Sequence, residues 1–352
     1  MSLWPVYTGA EEPHDGVAEL PEPPPWRAFN GGPVVEPPQD DTAPSPDRVH
    51  RARAYRATDE SVQLVNAALY LRRPLLVTGP PGSGKSSLAY AVARELRLGP
   101  VLRWNITSRS ALGDGLYQYD PLSRLYAAGQ GPDGGGTGSS GSNSGSGSGT
   151  GGGSTGSGGI EDHLRLGPLG TALLPYERPR ALLIDEIDKS DLDLPNDLLN
   201  VLEEGQYEIP ELVRAARTRP LAEVLTADSD RLVPLERGRV RCRAFPFVVL
   251  TSNGEREFPP AFLRRCVTLE LKQPVAEHLE SIVRAHLGEL DEQAHALVRQ
   301  FLDRGRAGEL ATDQLLNAIY LTRTSGLDAA SRDELADRLM RHLSRAPEAD
   351  DF

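Results

Sequence analysis

The run Gly79-Pro80-Pro81-Gly82-Ser83-Gly84-Lys85-Ser86 satisfies G-x-x-x-x-G-K-[ST], the pattern of a phosphate-binding loop. It restricts the fold, because such a loop works only between a buried strand and a helix that starts at its lysine. Both flanks fit. Leu75-Leu76-Val77 ahead of it predicts a buried strand, and Ser86 to Leu96 behind it predicts a helix. The glycines let the backbone turn its N–H groups toward a phosphate chain. The helix N-terminus adds a partial positive charge at the same point. Lys85 can reach the β- and γ-phosphates, and Ser86 can hold Mg²⁺. Gly79 to Ser87 is therefore the expected nucleotide-binding set.

The 352 residues suffice for two domains, and the formal net charge is -12. Such acidity argues against general nucleic-acid or membrane-surface binding, leaving room only for a local basic patch. Cys242 and Cys266 are too few for a disulfide framework and have no metal-ligand spacing. They suggest a reducing, cytoplasmic setting. No signal-peptide pattern opens the sequence, and no apolar run approaches the roughly 18 residues needed to cross a bilayer.

Two segments stand apart in composition. Residues 131–159 hold 15 of the 35 glycines, mixed with Ser and Thr. Residues 1–47 hold 11 of the 29 prolines and nine acidic residues against one basic, Arg27. Neither can bury much apolar surface, which predicts a disordered arm over 1–49 and a flexible insert over 129–159. The arm carries Trp4, Tyr7, Trp26 and Phe29, which read either as anchors for a partner or for the body, or as parts of a solvated tail. The rest divides into an α/β nucleotide-binding domain over 50–272, an all-helical domain over 273–346 and a tail over 347–352.

Within the α/β part, a helix is expected from Thr58 and strands over 75–78, 101–106, 181–185 and 245–251. A helix is expected over Asn196 to Glu204, stopped by Gly205, and the later part of Gly115 to Ala128 is expected to be helical. Apolar strands alternating with helices mean a parallel sheet covered on both faces. Beyond Val275 four helices are expected, over Glu277 to Leu290, Asp291 to Asp303, Thr312 to Thr324 and Arg332 to Ser344.

The strand Leu182-Leu183-Ile184 ends in Asp185-Glu186. Asp185 can hold the water shell of Mg²⁺, and Glu186 can act as general base toward an attacking water. Thr251-Ser252-Asn253 ends the next strand. Asn253 either orients that water and senses the γ-phosphate or, with Gly254, forms a turn. Arg264 and Arg265 close a short helix and suit a finger reaching the γ-phosphate of a neighbouring subunit, unless they are surface charge. The seven histidines show no metal spacing.

In this order, with a small helical domain to follow, the chain resembles the AAA+ ATPases over about residues 50–345. Within them it looks like the MoxR group and its McrB-like relatives, through Tyr117 to Leu125, Leu166 to Gly170 and Asn200 to Gln206. The resemblance implies a parallel-sheet P-loop NTPase core followed by a helical lid. It implies a hexameric ring with ATP and Mg²⁺ between subunits, Lys85, Ser86, Asp185, Glu186 and Asn253 acting in cis, and Arg265 in trans with Arg264 close behind. It also implies an insertion near the pore, where the Gly/Ser tract falls, and a client-touching hairpin between Tyr207 and Val240. The implied client is a protein with a von Willebrand factor A-type domain, or an effector of a stress or defence module. Two positions depart from the family. Gln314 stands where a second-sensor arginine is usual, with Arg323 some two and a half turns further on, and Arg264 replaces the aspartate of the Asp-Arg-Phe motif. Two other functions stay open: a slowly hydrolysing nucleotide-dependent scaffold or switch, and a GTP-using partner of a nuclease.

Overall fold

The computed structural model describes residues 5–38, 45–129, 159–305 and 311–324, with residues 334, 335 and 338 beyond. Almost all of the Gly/Ser insert and of the expected helix over Arg332 to Ser344, and all of the tail 347–352, lie outside the described residues.

The apolar runs form a five-stranded parallel sheet: β1 (Leu75–Thr78), β2 (Leu102–Asn105), β3 (Ala181–Asp185), β4 (Phe247–Ser252) and β5 (Val267–Glu270). The order across the sheet is β5-β1-β4-β3-β2. Alternate residues of each strand enter opposite layers. Leu75 and Val77 pack with Leu88 and Val92 of the helix Lys85–Glu95, while Leu76 packs with Leu198 and Leu202 of the helix Leu194–Glu204. Trp104 is buried in the second of these layers. The helix Asp59–Leu71 starts at a reciprocal cap, Thr58 N to Ser61 Oγ at 2.9 Å and Ser61 N to Thr58 Oγ1 at 3.2 Å.

A smaller sheet joins Tyr117–Tyr119, Leu164–Leu166, Leu221–Leu225 and Leu232–Glu236, and Gln206–Glu208 pairs with Arg239–Arg241. The strands Tyr117–Tyr119 and Leu164–Leu166, one on each side of the insert in sequence, pair antiparallel, Tyr117 opposite Leu166. The helices Ala276–Leu287, Glu292–Gly305 and Thr312–Thr324 bury their own core of Leu279, Val283, Leu297, Phe301, Leu315 and Ile319. No helix among the described residues is long and apolar enough to cross a membrane.

The arm differs from expectation. Residues 5–38 lie on the body, and the helix Pro46–Ala54 runs through the expected boundary at 49/50. Asn66 holds the start of the arm, accepting from Val6 N (2.8 Å) and Tyr7 N (2.9 Å) and donating to Tyr7 O (2.7 Å). Glu95 accepts from Thr8 N at 2.6 Å and meets His14 Nε2 at 3.0 Å. Val6, Tyr7, Val17, Val35 and Arg27 are buried. Composition weighs total apolar area; a few apolar side chains set into the cores of the body, together with well-placed polar groups, hold this segment.

Candidate nucleotide-binding site

The loop Gly79 to Gly84 joins β1 to the helix that begins at Lys85. All three of its glycines are required, Gly84 because its backbone is left-handed (φ 87°). At Gly79 a Cβ would lie 2.3 Å from Leu271 O, next to β5. At Gly82 the backbone is left-handed (φ 73°), and a Cβ would lie 2.9 Å from both Ala311 Cβ and Thr312 N. Hence the first turn of the third lid helix touches the phosphate loop. The Lys85 ammonium is buried in the loop, donating to Gly79 O and Pro80 O at 2.8 Å each. Burial lowers its pKa, partly offset by Asp188, Asp185 and Glu186. Ser83 Oγ is buried and meets no partner among the described residues, so the loop holds a donor unused by the protein.

Asp185 ends β3 beside the loop. Its Oδ1 accepts from Ser86 Oγ (2.8 Å) and Thr251 Oγ1 (2.6 Å), and its Oδ2 from Arg103 (2.7 Å). Burial pushes its carboxyl up, but Thr251, Ser86 and Arg103 together outweigh this and hold it below the usual carboxylate range. The carboxylate is therefore ionised at neutral pH. Ser86 and Asp185 converge as a hard-oxygen donor pair that suits Mg²⁺.

Glu186 follows in the left-handed region (φ 63°), which turns it out of the strand direction. Its N–H donates to Thr251 Oγ1 at 2.9 Å, and its carboxylate pairs with Lys189 at 2.8 Å. Thr251 thus ties together the ends of β3 and β4. Asp188 accepts from Asn253 N (2.9 Å) and Glu255 N (3.2 Å), which fixes the turn after β4 and brings Asn253 next to the acidic pair. Gly79 to Ser87, Asp185, Glu186 and Asn253 accordingly meet at one end of the sheet.

Arg264 and Arg265 lie apart from that cluster, just after the helix Pro260–Leu263. Arg265 Nε pairs with Glu203 at 2.7 Å, and Arg264 O accepts from Arg73 at 3.2 Å. Neither arginine touches the loop of its own chain. Gln314 is buried and accepts from Ala311 N at 3.3 Å, capping the lid helix. Arg323 donates to Leu287 O and Glu289 O within the lid.

Four contributors escape the sequence reading: Arg103, Thr251 as the shared partner of both acidic residues, Asp188 and Lys189. The one available signal was an arginine beside Trp104 in the strand that ends at Asn105.

The strand order, the loop after β1 and the acidic end of β3 define a parallel-sheet α/β core with a phosphate-binding loop, followed by a small all-helical domain. Residues 75–116 match the model of the ATPase family associated with various cellular activities (AAA). Among solved structures, the chain is similar to NtrX from Brucella abortus in complex with ADP, at 16% identity and a TM-score of 0.39 over 87% of this chain. The match spans 59% of the length of that NtrX chain. No curated protein matches the sequence.

Proposed function

We propose that this chain is an AAA+ ATPase that hydrolyses ATP between copies of itself and uses the cycle to remodel or regulate a protein partner, in the manner of MoxR-like proteins. The observation that carries this reading is the 2.8 Å bond from Ser86 to Asp185, which joins the phosphate loop to the acidic strand end across 99 residues of chain. Loop N–H groups and Lys85 hold the phosphates. Mg²⁺ held by Ser86 and Asp185 supplies neutralisation of phosphate charge. Glu186 takes a proton from the attacking water, and Asn253 orients that water. The Glu186–Lys189 pair is exposed at both ends, 44% and 41%, so releasing Glu186 costs at most about 1 kcal/mol. Arg265 faces away from its own loop and serves the nucleotide of an adjoining copy.

Steady-state ATP turnover tests the reading. Glu186→Gln should keep ATP binding and lose roughly 100-fold or more in rate, the scale of general-base loss. Lys85→Ala should lose binding, and tight ATP binding retained by that variant overturns the assignment. A slow nucleotide switch is the second reading. It is favoured by Gln314, whose side chain caps its own helix and brings no cation to the loop. Negligible turnover that Glu186→Gln leaves unchanged selects it.

A further inference from the structure

Trp26 is 75% exposed, while its neighbour Arg27 is only 7% exposed. Both belong to the tight turn Pro25–Arg27. The Arg27 guanidinium donates to Leu202 O (3.1 Å) and Glu203 O (3.2 Å) at the end of one helix, and to Arg72 O (3.0 Å) at the end of another. It also lies over the rings of Phe29 (5.4 Å) and Phe245 (4.5 Å), which stack on each other. The indole is therefore displayed on a rigid mount, at the hydration cost of a large aromatic held in water.

The mount is shared with Arg265. Trp26, Arg27, Arg73, Leu199, Glu203 and Arg265 line one hollow of about 140 Å³. Glu203 links the two sides, its carbonyl on Arg27 and its carboxylate on Arg265 at 2.7 Å. This face is cationic, with Arg73, Arg264 and Arg265. On the phosphate-loop side Asp185 and Asp188 are buried and Glu186 is paired with Lys189, so the anion that an adjoining copy's arginines would meet there is the bound triphosphate. Cations on one face and an anionic ligand held at another let copies join head to tail, each placing its cationic face beside the nucleotide of the next.

We propose that the Pro25–Arg27 turn is part of the surface by which one copy of this chain docks on a second copy, with Trp26 packing against that copy beside the nucleotide that Arg265 reaches. The inference rests on the reading of Arg265 as acting on an adjoining copy. Tryptophan and arginine are among the residues enriched at the hot spots of such contacts.

The test follows ATP turnover per subunit across a dilution series, with light-scattering mass of the Glu186→Gln form in ATP, for the full chain and for Trp26→Ala and Arg265→Ala. Trp26→Ala should bind a fluorescent ATP analogue within about twofold of the parent and need at least about tenfold more protein for half-maximal turnover and for assembly. If Trp26→Ala follows the parent curve while Arg265→Ala is slow at every concentration, the turn has no part in docking and the role of Arg265 stands. If turnover of the parent is independent of concentration and Arg265→Ala equals it, the reading beneath the proposal fails and the proposal with it.

Discussion

Asp185 accepts three side-chain hydrogen bonds, and only the one from Arg103 carries charge. Arg103 thus does two things: it offsets the cost of burying the carboxylate and fixes which oxygen faces Ser86. Removing it leaves burial in place with less to oppose it, so the Asp185 pKa rises from its depressed value. Arg103→Ala should slow turnover about tenfold, the scale at which partners of metal-binding carboxylates act. The acid limb of the pH–rate profile should move to higher pH, because the protonated carboxyl then persists further up the scale. An unshifted limb would show that Arg103 does not govern this carboxylate. The residues that motifs describe, Gly79 to Ser86 and Asp185-Glu186, were legible because each motif is contiguous. Arg103 was not, since its partner lies 82 residues away and the contact depends on β2 pairing beside β3, Asn105 opposite Asp185.

The arm shows the limit of reading segments by composition. Strands β1 and β3 were readable to within a residue because each is wholly apolar and closed by a loop or an acidic end. The helix Thr312–Thr324 matched its expected span. The arm offered prolines and carboxylates, and what holds it is a handful of buried apolar side chains, Val6, Tyr7, Val17 and Val35, together with polar groups. Asn66, Glu95 and above all Arg27 serve backbone groups that nothing in the arm's own pattern announces. Arg27 acts on two helices at once, since Leu202, Glu203 and Arg72 present C-terminal carbonyls that other groups of the helix do not satisfy. Arg27→Ala should lower the free energy of unfolding by about 3 kcal/mol, the scale for a buried charged donor whose acceptors are left unpaired. Arg27→Lys should recover only part of this, because an ammonium lacks the planar fork that spans both helix ends. Urea unfolding of both variants measures it, and a loss below about 1 kcal/mol, the worth of a single ordinary hydrogen bond, would mean that the arm is held elsewhere.

On the proposed reading, in which Arg265 acts on an adjoining copy, the candidate site is half of a site. Everything from Lys85 to Asn253 gathers at one end of the sheet, whereas Arg265 sits on Glu203, out of reach of its own loop. Both halves can be read from one sequence; their separation follows from the fold, because the helix Pro260–Leu263 intervenes between Asn253 and Arg265. Complementation between two defective chains decides whether the halves meet across copies. Arg265→Ala keeps a complete loop side and loses the finger, a loss of about 10³-fold or more in related phosphoryl transfer. Glu186→Gln keeps the finger and loses the base. In a ring mixed one to one, an intact loop side meets an intact finger at about a quarter of the interfaces by chance alone. The mixture should therefore recover roughly a quarter of the parent rate from two nearly inactive proteins, rising with protein concentration. Sites complete within one chain predict only the average of two inactive samples, so absence of recovery at concentrations where the copies co-elute would place Arg265 outside the reaction.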